Sequence, residues 1–138
     1  MASEWYLEVE SEIFTTIEYM LAGRDDAPFP NLRCTATNEN ITPSYFPTLY
    51  LWHTYNGDGY DLDGRVLGGI NSTIYIKVWT NTTEKDCERI LAEAEKVMRE
   101  VFRYRCNTMP MATVSSKIAS GQIVCNRMIG ANEEIGFM

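Results

Sequence analysis

The side chains in this sequence that could perform chemistry are few and widely spaced. His53 is the single histidine and sits between Trp52 and Thr54 in a run of β-forming residues. A histidine base needs a nucleophile and an orienting carboxylate within reach, and chain order alone does not bring them to it. The expectation is a strand or interface histidine, in a protein that is not an enzyme. No nucleophile elbow, zinc-protease, P-loop or dinucleotide fingerprint is present. Gly64 to Gly69 is glycine-rich but leads into a strand, so it lacks the converging N–H groups of a helix start that hold phosphate. Cys34, Cys87, Cys106 and Cys125 are far apart and form no C-x-x-C pair. They read as buried reduced thiols, the alternative being two disulfides in one of three connectivities. With a single histidine and no close cysteine pair, neither a zinc site nor any other resident cofactor is expected.

The stretch from Asn56 to Gly69 gathers Asp58, Asp61 and Asp63 among glycines. Asp61-Leu62-Asp63-Gly64 matches the middle of an EF-hand loop, where glycine follows the third ligand. The first ligand position would be Gly59 and the twelfth Ile70, and neither offers a carboxylate. The expectation is an exposed hairpin connection. Its functional form is an arm to a neighbouring subunit, with Asp58, Tyr60, Asp61, Leu62 and Asp63 as the candidate contact residues. A loose calcium or small-ligand site on the same loop is the alternative.

The element best defined by pattern is a helix over Thr82 to Tyr104. Cys87, Ile90, Leu91, Ala94, Val97, Met98 and Val101 recur at helical spacing, and the residues between them are mostly charged. Thr82 or Thr83 can cap its start, and Glu95 with Arg99 is a favourable i,i+4 pair. A first helix is predicted over Ser3 to Ala22, from Trp5, Val9, Ile13, Ile17 and Leu21, with a left-handed Gly23 as its stop. Strands are predicted at Leu32–Thr37, Phe46–Tyr55, Ile70–Thr80, Cys106–Val114 and Gln122–Ile129, with a turn region over Ser115–Gly121. Both faces of the second strand carry large side chains, which calls for cover on both sides or a neighbouring subunit on one. The order α-β-β-β-α-β-β gives a single α+β domain, with two helices packed on one face of a mostly antiparallel sheet.

The totals are those of one folded domain. At 138 residues with 45% apolar side chains, the chain can bury a substantial core. The net charge of −7 would repel nucleic acid phosphates and anionic membranes, so neither is expected as a direct partner. The aromatics Tyr45, Phe46, Tyr50, Trp52, Tyr55, Tyr75 and Trp79 have only Lys77 nearby in sequence. A core or protein interface is therefore expected of them, not a base-stacking platform. No apolar run approaches bilayer length, and the glutamate-rich start is unlike a signal peptide.

Taken together, the pattern resembles the tail-terminator (tail-completion) proteins of long-tailed bacteriophages and related contractile particles. The likeness is carried by the Val9–Leu21 helix, the Pro-led aromatic strand Phe46-Pro47-Thr48-Leu49-Tyr50-Leu51 and the strand Ile74-Tyr75-Ile76-Lys77-Val78. The Cys87–Phe102 helix and the closing segment from Met109-Pro110-Met111 to Asn126-Arg127-Met128-Ile129 complete it. It spans nearly the whole chain and is one of element order, since that family has no catalytic or ligand motif to match. What the resemblance implies is a structural virion protein, assembled in the bacterial cytoplasm as a hexameric ring. The ring would cap the tail-tube protein, stop its polymerisation and present a joining surface to the head–tail connector. A neck protein on the head side is the alternative within the same class.

Overall fold

The computed structural model describes residues 8–37, 41–57, 70–107 and 110–129. Helix α1 spans Val9–Glu18 and runs on into a π turn, Tyr19–Gly23. Strands β1 (Arg33–Ala36), β2 (Thr48–Gly57) and β3 (Ile70–Thr80) follow, then helix α2 (Glu84–Glu100). The two-residue β4 (Arg105–Cys106), β5 (Ala112–Ser115) and β6 (Ile118–Ile129) close the domain. This is the expected α+β architecture: two helices on one face of a mostly antiparallel sheet, in the predicted order.

The sheet runs β1-β2-β3-β6-β4, with β5 also paired to β6. Only β1 runs parallel to its neighbour, with Arg33 opposite Thr48 and Ala36 opposite Leu51. β2 and β3 form a long hairpin, registered from Thr48↔Trp79 to Gly57↔Ile70. The predicted strand over Cys106–Val114 is divided into β4 and β5, and β6 starts earlier than expected, just after a turn at Ser116 and Lys117. Both turn residues have positive φ, the conformation of a two-residue primed hairpin turn. Gly121 therefore lies within β6 and not in a turn. A Cβ there would stand 2.4 Å from the Met111 carbonyl oxygen and 2.6 Å from Leu91 Cδ1, so glycine allows the close approach of β5 and α2.

α2 is a helix for the reasons its sequence gives. Thr83 is extended at the N-cap, and its hydroxyl oxygen accepts from the Asp86 N–H at 3.2 Å. Cys87, Ile90, Leu91, Ala94, Val97 and Met98 are buried, while Arg99 pairs with Glu95 at 3.0 Å on the solvent side. Arg103 takes a left-handed φ of 61° just past the helix, and the Tyr104 N–H donates to the Met98 carbonyl. α1 buries Val9, Ile13 and Ile17, and Leu21 continues the stripe. Gly23 does end the helix, but from within the π turn; its φ is not in the left-handed region. Both helices meet the inward side chains Leu49, Leu51, Ile74, Ile76, Val78, Ile123 and Cys125 in one core.

The cysteines divide. Cys34 and Cys87 are free, and burial pushes each thiol up to about 12, consistent with unreactive reduced side chains. Cys106 and Cys125 correct the expectation of four reduced thiols, because they form a disulfide. Their separation of 19 residues conceals that they are direct partners in the β4–β6 register, with Cα atoms 3.9 Å apart.

Candidate functional site

Two regions bring polar and aromatic side chains together, one on each face of the sheet. On the helix side, the alternation of β2 aims His53 inward with Leu49 and Leu51, and the alternation of β3 aims Ser72 inward with Ile74 and Ile76. Ser72 Oγ lies 2.6 Å from His53 Nε2 and 2.6 Å from Tyr104 Oη. Both are hydrogen-bond distances, and which atom donates in each is set by the imidazole tautomer and the hydroxyl rotors. Arg127, opposite Ser72 on β6, donates from Nη1 to the Phe102 carbonyl beyond the end of α2. Burial pulls the imidazole down to about 4, which keeps it neutral at pH 7. Burial raises the Tyr104 phenol to about 12, against the opposing effects of the Ser72 hydrogen bond and the Arg127 charge.

This chain has the histidine–hydroxyl pair of a nucleophilic site but not its access. Ser72 is 0% exposed and Tyr104 only 2%, so no substrate carbonyl can reach the serine oxygen as the protein stands. The arrangement satisfies polar groups placed between β3 and the end of α2. The sequence marked His53; it gave no signal that Ser72 and Tyr104, one 19 residues and the other 51 residues further along, would meet it.

The opposite face of the sheet carries no helix among the described residues. Tyr50, Trp52 and Thr54 of β2, Thr73, Tyr75, Lys77 and Trp79 of β3, and Gln122, Val124, Asn126 and Met128 of β6 project from it. Trp52 and Tyr75, direct cross-strand partners, stack with centroids 5.0 Å apart and planes 6° from parallel. Tyr50 meets Trp79 edge-on at 6.4 Å, and Lys77 Nζ sits 4.4 Å from the Trp79 ring centre. The Tyr50 hydroxyl is tied to the Ile41 carbonyl at 3.0 Å, so the loop before β2 covers one end of this row. Beyond it the surface opens: Trp52 and Tyr75 are half-buried and Met128 is 52% exposed. Arg33 and Arg105 stand on the same face at its two edges, the first packed over Tyr45 at 4.4 Å. No strand contains an aspartate or glutamate, so among the described residues the strands contribute no carboxylate to this face. Sequence proximity showed only Lys77 beside the aromatics; the strand register adds Arg33 and Arg105.

A cavity of about 380 Å³ opens at the end of the sheet near the start of α2, walled by Phe29, Leu32, Pro47 and Ile90. Its charged rim, Asp86 and Arg89, is engaged with itself at 3.8 Å. Among the described residues no three His, Cys, Asp or Glu side chains converge as metal ligands. The expected contact residues Asp58, Tyr60, Asp61, Leu62 and Asp63 lie outside the described residues, in the connection between β2 and β3. No helix of the described residues is long and apolar enough to cross a membrane.

No protein-family model matches this chain, and no curated protein matches it.

Proposed function

We propose that this protein is a structural assembly protein that ends a phage-type tail tube, forming a ring of identical subunits that also meets the head-side connector. The observation that carries the proposal is the sheet face opposite the helices, with its ordered aromatic row and, among the described residues, no helix over it and no carboxylate on its strands. Centres of protein interfaces are enriched in Trp, Tyr, Met and Arg and depleted in Asp and Glu, the composition found on this face. A sheet face with packed, half-buried aromatics gains free energy from further burial, at roughly 25 cal/mol per Å² of apolar surface. A closed ring repeats one heterologous contact, and an aromatic sheet face opposite a helical layer provides distinct front and back surfaces for it. The tail-terminator resemblance adds the identity of the partners: a tail-tube ring below and a connector above.

Electron microscopy of the purified protein, alone and mixed with tail tubes lacking their terminal ring, tests this directly. The expected result is rings in the first sample, or caps at one end of each tube in the second. Tubes that stay uncapped and continue to lengthen contradict it.

A further inference from the structure

We propose that the Cys106–Cys125 pair is a redox latch that fastens β4 to β6, open as two thiols in a reducing compartment and closed as a disulfide outside it. β4 is the shortest strand and lies at the end of the sheet, with only Arg105↔Asn126 and Cys106↔Cys125 in register with β6. Beyond it, the Asn107 N–H donates to the Val124 carbonyl at 2.8 Å. So short an edge strand has few backbone bonds to hold it and opens locally at small cost, which makes the covalent bond its strongest tie.

The elements on either side are anchored separately. Tyr104 is buried, with its N–H on the Met98 carbonyl and its hydroxyl 2.6 Å from Ser72 Oγ. β5 has its own register with β6, from Ala112↔Gly121 to Ser115↔Ile118. Opening the bond therefore frees β4 and Asn107 while α2, β5 and the long β3–β6 pairing stay in place.

The pair suits reversible exchange. Because the cysteines are direct register partners, the folded chain itself brings the two thiols together, and closing needs no rearrangement of the sheet. They also differ in access, since Cys125 is 0% exposed and Cys106 only partly buried. A thiolate of an external dithiol attacks Cys106 Sγ, the S–S bond breaks, and Cys125 leaves as a thiolate that takes up a proton. The reductant's second thiol then displaces Cys106 as a thiol and leaves the reductant as a disulfide. Two electrons and two protons have passed to the protein. Oxidised glutathione, a small disulfide, runs the exchange in reverse. Cys34 and Cys87 take no part, because burial keeps both thiols protonated.

The occasion for switching rests on the tail-ending assignment. Such a protein is made among cytoplasmic thiols, which keep disulfides open, and works after release into oxidising surroundings. The latch then closes on a subunit already in its place.

The test holds the purified protein in two buffers, one with reduced glutathione in the excess found in bacterial cytoplasm, the other with oxidised glutathione. Alkylation under denaturing conditions, read by mass spectrometry, counts the open thiols, and amide hydrogen exchange follows β4. Cys106 and Cys125 should be alkylated from the first buffer and not from the second. The Asn107 amide should exchange about tenfold faster, or more, in the open form. Ile74 and Ile76, at the centre of β3, should remain protected in both. Cys106→Ser should show the fast Asn107 exchange in either buffer, and Cys34→Ser should respond as wild type does. A bond that survives the reducing buffer is a permanent staple and overturns the proposal, as does a pair that never oxidises. Equal Asn107 exchange in the two forms overturns the fastening of β4. Loss of Ile74 and Ile76 protection on reduction overturns it too, because the fold would then depend on the bond. Tail tubes left uncapped overturn the ring and the occasion for switching, and leave the latch standing.

Discussion

The two faces of this sheet are built from alternate residues of the same strands and have opposite fates. The inward side chains of β2 and β3 run Leu49, Leu51, His53 and Ile70, Ser72, Ile74, Ile76, Val78, covered by α1 and α2. The outward ones run Tyr50, Trp52, Thr54 and Thr73, Tyr75, Lys77, Trp79, with no helix above them among the described residues. Aliphatic side chains interdigitate with helices, and the polar groups among them are tied into the His53–Ser72–Tyr104 chain. The outer face instead uses aromatic and long amphipathic side chains, which pack against one another and still leave surface to bury. The lesson is that apolar alternation on both sides of a strand divides into a face that folds the chain and a face available for association. The charges make the same division, since every carboxylate of the described residues lies on a helix or loop.

The inner face should be the more sensitive to substitution. Leu91→Ala removes a fully buried side chain from the contact of α2 with the sheet, and should lower stability by about 2–5 kcal/mol by urea unfolding. An unchanged midpoint would break the claim that this face holds the fold. Ser72→Ala removes the shared hydroxyl and leaves His53 and Tyr104 without it, for an expected loss of about 1–3 kcal/mol. Enzymatic turnover plays no part in that expectation.

His53 sharpens the comparison through pH. Its folded value of about 4 lies below the ordinary 6.5, so between these values the unfolded chain binds more protons than the folded one. Stability from this group is complete above pH 6.5 and is lost as pH falls towards 4. His53→Gln keeps a hydrogen-bonding group but does not titrate, so the difference between its urea midpoint and that of wild type should narrow or reverse over this interval. A constant difference from pH 7 to pH 4 would place the imidazole in solvent-like surroundings. The smallest effect is expected at the β5–β6 turn, where Lys117 holds a φ of 67° that glycine adopts without strain. Lys117→Gly should raise stability by about 1 kcal/mol and leave association unchanged, since the turn adds no packing to either face.

Much of the architecture was legible because it is local. The α2 stripe from Cys87 to Met98, its Thr83 cap and the Glu95–Arg99 pair all follow from spacing within a few residues. The β2 and β3 alternations set up the two-faced sheet in the same way. What could not be read depends on register between distant segments. The parallel pairing of β1, the Cys106–Cys125 partnership, the close approach at Gly121 and the meeting of Ser72 with Tyr104 are of this kind. The cationic edges of the outer face were hidden likewise, because Arg33, Lys77 and Arg105 become neighbours of one surface only when the strands are laid side by side. The Asp58–Asp63 arm is outside the described residues, so its expected contact role stands as a proposal.

Hydroxyl-radical footprinting of dilute and concentrated protein tests the division of faces most directly. Met128, 52% exposed on the outer face, and Tyr75 on the same face should become protected from oxidation as concentration rises, while buried Met98 stays unreactive throughout and Met111, 67% exposed, stays reactive. Equal oxidation of Met128 and Tyr75 at both concentrations, in protein that light scattering shows to be assembled, would contradict the account.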